Sequence, residues 1–348
     1  MKTVEKLIEE VRAAHKLDPR SSVFDIRAIE RDSAIELIGH ATETAALDDL
    51  VQRAGRLKGV SGVIDSVVRL PTGVDTGEQH GVVRAALAPV YAEPAVPAPQ
   101  LTQLVLGSRV DLLAEKGEWW RVRGEDGYIG WVHRGYLMAG SAEWAHAWER
   151  GHIGEPAVSL GAELVDEEDT VFARLPWAAR IVRLSHEVYQ LPDGRRGRLV
   201  NGEAVPADRL FDRFPPRGDS VARTARRWLG SPYLWGGVSM GGVDCSGFTQ
   251  AVCWVHGIAM PRDSDMQARM GVEIDPGADF SALRPGDLLF YAESGSTISH
   301  VAIAINDGLI VHASIRNGGV AINSMTGDAP YEAWLRSIFV TARRVLPD

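Results

Sequence analysis

The spacing of apolar residues switches repeatedly between helical and strand periods along the chain. In MKTVEKLIEEVRAAHKLDPR, Val4, Leu7, Ile8 and Val11 recur at helical spacing between charged residues, without a continuous apolar run of signal-peptide length. Phe24, Ile26 and Ala28, then Ile35 and Leu37, alternate with polar residues and predict two strands. Leu47, Leu50, Val51, Ala54 and Leu57 predict a second helix, and a third strand follows Gly59, from Val63 to Leu70. Residues 1–75 therefore read as a small α+β module, and the turn-rich PTGVDTGEQH at 71–80 as a linker. Residues 82–140 carry short strands separated by turns, with Asp126-Gly127 as a hairpin pair, and read as a small β-barrel. Residues 141–213 repeat that texture, most clearly in VYQLPDGRRGRLVNGEAV, and read as a second, divergent barrel.

Phe214-Pro215-Pro216-Arg217-Gly218 breaks the chain before a last domain, residues 219–348. There DSVARTARRWLG predicts a helix capped by Ser220, with Val221, Ala225, Trp228 and Leu229 on one face and a stop at Gly230. A glycine-rich loop follows, with glycines at 236, 237, 241 and 242, and runs into Asp244-Cys245-Ser246-Gly247. Phe248, Ala251, Val252 and Val255 then form a helical stripe, which puts Cys245 at a helix start. Leu283-Arg284-Pro285-Gly286-Asp287 predicts a turn feeding a buried strand, Leu288 to Tyr291, and ISHVAIAINDGLIVHASI predicts a β-hairpin.

Composition narrows the classes. With 348 residues, 45% hydrophobic and 24% charged, the chain is long enough for several cores. A net charge of −9 and no long Lys/Arg run argue against nucleic acid as a partner, and no transmembrane span or other membrane partner is expected. Cys245 and Cys253, the two cysteines, lie eight residues apart on one predicted helix, too far for a disulfide. No His, Cys and carboxylate spacing suggests a metal, so no cofactor is expected. The absence of an export signal predicts a cytoplasmic protein.

Cys245 is the candidate nucleophile because a helix N-terminus or an imidazolium lowers a thiol from about 8.5 to about 3.5–7.5. Its glycine-rich surroundings allow a carbonyl to approach backbone N–H donors. His300 and His312 flank the hairpin turn. A three-residue loop at Asn306-Asp307-Gly308 pairs 305 with 309 and puts both histidines on one face, whereas a two-residue loop puts them on opposite faces. On one face, His300 is the base for Cys245 and His312 orients it. Cys253, inside the apolar stripe, reads as a core residue.

These motifs, Tyr-x-Trp-Gly-Gly, Asp-Cys-Ser-Gly-Phe, Pro-Gly-Asp-Leu, Ser-His-Val-Ala-Ile and His-Ala, resemble the NlpC-type family of cell-wall cysteine endopeptidases over roughly 219–345. The resemblance implies a papain-like α+β catalytic domain with Cys245, His300 and His312 as its triad. The closing pattern of the first barrel, Trp119-Trp120, Gly127 and Gly130-Trp131-Val132, is similar to bacterial SH3-like domains, and the N-terminal strand order is similar to BON-type modules. The implied architecture is a small α+β N-terminal module and two SH3-like β-barrels before the catalytic domain. That order resembles the γ-D-glutamyl-L-diamino-acid endopeptidases, in which the first SH3-like domain helps close the cleft.

By that resemblance the substrate partner is a murein peptide with a free N-terminal L-Ala. Glu93, Tyr128 and Asp263 would bind its amine, and Trp235, Asp244, Ser246 and Ser264 would line the pocket. Plainer alternatives are that Tyr128 packs beside Trp131, Glu93 is a solvated turn residue, Trp235 is core, and Asp263 caps a helix from Ser264 to Met270. Rival functions are a secreted enzyme lysing intact wall, a binding protein with an inert peptidase domain, and an acyltransferase. The residues do not choose between meso-diaminopimelate and L-Lys, and they assign no oligomeric state.

Overall fold

The N-terminal helical spacing produces the helix Lys2–Ala14, whose Val4, Leu7, Ile8 and Val11 form one core with the helix Thr44–Ala54 and a three-stranded sheet. The structure is a computed structural model that describes residues 2–72, 79–151 and 153–346. In this first sheet Phe24–Arg31 and Ala34–Ala41 are antiparallel, while Gly62–Arg69 runs parallel to Ala34–Ala41. A parallel return needs a crossover, which the helix Thr44–Ala54 supplies. Of the expected linker at 71–80, residues 73–78 lie outside the described residues, and His80 already belongs to the next sheet.

That sheet has seven strands between His80 and Gly140. Val83, Val90, Val110, Leu112, Trp120, Val122 and Val132 point inward and fill it, as the alternating pattern requires. Trp119–Gly124 and Ile129–His133 are joined through Asp126-Gly127, with Gly127 at φ +83°, where a residue without Cβ is unstrained. Tyr128 therefore sits at the rim of the barrel. The helix Ala142–Glu149 comes next, in a stretch whose texture had suggested strands, and Ser141 caps it by accepting from the Trp144 N–H. A third sheet, of five strands, then closes on itself through the pairing of Glu155–Val165 with Val171–Arg183.

The last third packs the helix Cys245–Trp254 against a six-stranded antiparallel sheet. Its order is Val272–Ile274, Phe339–Arg344, Leu288–Tyr291, His300–Asn306, Leu309–Ser314, Gly319–Ser324. Leu288–Tyr291 is buried along its whole length, as its unbroken apolar run predicts. The preceding helix departs from expectation. It spans Gly218–Arg226, so Ser220 is a buried helical residue and not the cap. Val221, Ala225 and Trp228 are buried, but the chain leaves the helix after Arg226 and turns Leu229 to the surface.

The N-terminal module docks on the first barrel. Val23 and Leu70 pack against Leu113 and Ile129, the Ile129 N–H donates to the Arg20 carbonyl at 2.7 Å, and Arg121 pairs with Asp25 at 2.7 Å. The barrel strand Gln100–Val105 in turn lies along the glycine-rich loop of the last domain: Gln100 Nε2 donates to the Trp235 carbonyl at 3.0 Å and the Val238 N–H to Gln103 Oε1 at 3.3 Å.

Candidate active site

Asp244 fixes the start of the cysteine helix. Its Oδ1 accepts from the Gly247 N–H at 2.7 Å, an N-cap that makes Cys245 the first helical residue. Its Oδ2 accepts from the Gly236 N–H at 2.8 Å, pinning the glycine-rich loop to the same carboxylate. The loop lies so close that a Cβ on Gly247 would stand 2.2 Å from the Gly237 carbonyl oxygen. Arg262, 1% exposed, pairs with Asp244 at 2.6 Å, reaches Ser246 Oγ at 2.8 Å, and through Nε donates to Thr102 of the first barrel at 2.6 Å. A buried charge needs such full partnering, and this one ties two domains together at the cysteine.

Cys245 is 7% exposed, and its thiol points to the Ser299 carbonyl at 4.0 Å. Burial first, and then the Asp244 carboxylate, push this thiol up to about 12, against the Val301 and Ser246 N–H groups and Arg262, which favour thiolate. The lowered thiol expected from the helix start alone is thus overridden by desolvation in the free protein. Burial holds the neighbouring Tyr233 phenol protonated, with the Asp244 carboxylate acting in the same direction.

The histidine hairpin resolves the two registers left open by the sequence. Asn306 lies opposite Leu309, a two-residue tip, but a bulge at Ile305 restores Ala304 opposite Ile310 and Ile303 opposite Val311. Those pairs belong to the register of the three-residue loop, so His300 and His312 share one face. His300 Nε2 and His312 Nδ1 are 2.6 Å apart, and His312 Nε2 lies 3.0 Å from Asn323 Oδ1. That oxygen also accepts from Asn317 Nδ2 at 2.8 Å. Asn317 Nδ2 also comes to 3.3 Å from His312 Nε2, but the shorter contact is to an amide oxygen, which only accepts, so we assign the His312 proton to Nε2 and let Nδ1 accept from the Nε2–H of His300. His300 Nδ1 keeps its lone pair, with no hydrogen bond among the described residues. Burial pushes His312 down to about 4 despite Asn323, and burial with the neighbouring His312 holds His300 well below the ordinary imidazole value.

Among the residues expected to hold substrate, Tyr128 and Asp263 meet: the phenol donates to Asp263 Oδ2 at 3.0 Å. Burial and Asp263 raise the phenol, which stays protonated. Asp263 precedes the helix Ser264–Gln267, shorter than expected, but its carboxylate does not cap it. Ser264 is buried at the first position of that helix. Asp244 and Ser246 are consumed by the Arg262 network. Trp235 is 71% exposed, so it is not core. Glu93 is exposed, with no side-chain bond to Tyr128 or Asp263 among the described residues. Asn317, Asn323, Arg262 and Arg20 were not anticipated. Asn323 faces His312 across neighbouring strands, a relation visible only once that pairing is known, and Arg20 reaches Asp263 from 243 positions away.

The NlpC/P60 family model matches residues 230–338 and the bacterial SH3 domain model residues 86–138. A γ-D-glutamyl-L-lysine dipeptidyl-peptidase of Bacillus cereus is 30% identical over 260 residues, covering 71% of this chain and 75% of the relative. The protein of the same name from Bacillus subtilis is 28% identical, covering 65% of this chain and 76% of its own. An NlpC/P60 family crystal structure from Bacillus cereus superposes with a TM-score of 0.63 at 25% identity, covering 77% of this chain and all of that one. With a helix-borne cysteine whose thiol lies against the Ser299 carbonyl, next in sequence to the sheet-borne His300, and with these similarities, the chain belongs to the NlpC/P60 family of cysteine peptidases and carries a bacterial SH3 domain ahead of its peptidase domain.

Proposed function

We propose that this peptidase hydrolyses the bond between γ-D-glutamate and the following diamino acid in peptidoglycan-derived peptides with a free N-terminal L-Ala, as in the recycling of wall peptides. The observation that carries the reading is the Tyr128–Asp263 pair, in which a barrel phenol and a peptidase-domain carboxylate meet one residue along from Arg262, the partner of Asp244 beside Cys245. A carboxylate beside a neutral hydroxyl is a receptor for an ammonium group, and charge-assisted bonds of that kind are worth about 1.5–3 kcal/mol each. Tied through the adjacent Arg262 to Asp244 beside Cys245, such a receptor measures off two residues from the N-terminus. The names of the Bacillus relatives, dipeptidyl-peptidases acting after γ-D-glutamate, agree with that ruler.

The chemistry starts from a neutral pair. The Cys245 thiol gives its proton to His300 Nδ1 as sulfur attacks the γ-carbonyl carbon, and the resulting imidazolium is stabilised through His312, whose Nδ1 accepts from His300. The proton passes to the departing amine of the diamino acid, leaving a thioester between L-Ala-γ-D-Glu and Cys245. Water, deprotonated by His300, hydrolyses that thioester and restores the thiol.

The test is incubation of the protein, and of Cys245→Ala, with L-Ala-γ-D-Glu-meso-diaminopimelate, the L-Lys peptide, and the N-acetylated form of each. Release of L-Ala-D-Glu from free-amine peptides alone, by the unsubstituted protein alone, is the expected result. Equal cleavage of acetylated peptides removes the amine receptor, and solubilisation of intact sacculi in preference to free peptides points to wall lysis.

A further inference from the structure

The contact that the peptidase reading does not use is Arg20, which the N-terminal module places at the amine receptor. Its carbonyl is fixed by the Ile129 N–H, next to Tyr128. All five of its N–H donors are engaged: Nε and Nη2 on Asp18 at 2.9 and 2.7 Å, Nη1 and Nη2 on Asp265 at 2.6 and 2.9 Å, and Nη1 on Asp263 Oδ2 at 2.9 Å. The fork is therefore saturated and is not a binding site for a substrate carboxylate. What it does is hold Asp263. An Asp in the N-cap position ordinarily turns its side chain back onto the N–H groups of the first turn, yet Asp263 makes no such bond. Its Oδ2 is taken by Arg20 and Tyr128, and Oδ1 has no hydrogen bond among the described residues.

We propose, resting on the amine-receptor reading above, that Arg20 is a specificity-determining positioning residue: it draws the Asp263 carboxylate away from its own helix so that Oδ1 is presented to the substrate ammonium. The N-terminal module is by this account a part of the substrate site. A guanidinium is suited to the task because its planar fork spans Asp18 and Asp265 while one nitrogen steers Asp263. Without it Asp263 relaxes onto the helix, and the free amine loses its partner.

The experiment compares kcat and KM on L-Ala-γ-D-Glu-meso-diaminopimelate, with its N-acetylated form as the control for loss of selectivity, for the full chain and for Arg20→Ala, Arg20→Lys and Arg121→Ala. Arg121→Ala loosens the module through Asp25 without touching Asp263, and so reports what docking alone contributes. Arg20→Ala is expected to raise KM for the free-amine peptide roughly tenfold, the scale of one cap interaction, with kcat within about twofold and the acetylated peptide still uncleaved. Arg20→Lys, which keeps the charge but not the fork, is expected to fall between the two, and Arg121→Ala to keep the preference for the free amine. Equal behaviour of Arg20→Ala and Arg121→Ala, or an unchanged preference in Arg20→Lys, overturns the inference and leaves Arg20 as a domain strap. If the unsubstituted protein itself shows no preference, the amine-receptor reading falls and takes this inference with it.

Discussion

The protonation of the two histidines hangs on one amide oxygen. Asn323 Oδ1 accepts from His312 Nε2, and that single choice leaves His300 Nδ1 as the base. Asn323→Leu removes the acceptor but not the packing, so kcat is expected to fall by roughly 10²-fold, the size of a misplaced general base, with KM nearly unchanged. Steady-state kinetics check it, and equal loss in kcat and in affinity would speak against an orienting role. The pH dependence has a definite sign. His300 works as the neutral imidazole, and burial with His312 depresses its protonation below the ordinary 6.5. Activity is therefore kept as pH falls through 6.5, and the acid limb of kcat/KM lies below that value. A limb at or above it would mean that water reaches the pair more freely than the buried geometry allows.

The loop and helix around Cys245 depend on close backbone approach. Gly247→Ala forces a Cβ to 2.2 Å from the Gly237 carbonyl, so loop and helix start must separate. The expected cost is about 1–3 kcal/mol, together with most of the activity, whereas Gly241→Ala, which meets only Ser239 Oγ at 3.6 Å, is expected to change little. Denaturant midpoints and turnover of the two variants decide this. Much of this part was legible from periodicity: the stripe Phe248, Val252 and Val255 is buried, and the unbroken run Leu288–Tyr291 is a core strand. The helix start was misread, because Ser220 has the chemistry of a cap, but Arg217 holds the cap position and the helix already runs from Gly218. The hairpin was legible only as two alternatives. A bulge at Ile305 combines the tip of one with the register of the other, and nothing in the alternation of apolar residues announces it.

Between domains the sequence was nearly silent, since a contact such as Arg20 with Asp263 or Arg262 with Thr102 leaves no periodic trace in either segment. The burial of neutral histidines gives the assembled molecule a pH-dependent stability. His256, His300 and His312 are all depressed in the folded state, so below 6.5 the unfolded chain takes up protons that the folded one refuses. Stability is expected to fall as pH drops from 6.5 towards 4, followed by denaturant midpoints, and a flat profile over that range would contradict the burial of the pair. The central claim is that Cys245 attacks one bond, two residues from a free N-terminus. Its most direct test is a single turnover of L-Ala-γ-D-Glu-meso-diaminopimelate, quenched in acid, with the protein mapped by mass spectrometry. The account predicts an L-Ala-γ-D-Glu acyl group on Cys245, absent with the N-acetylated peptide; turnover with an adduct elsewhere, or with none, would contradict it.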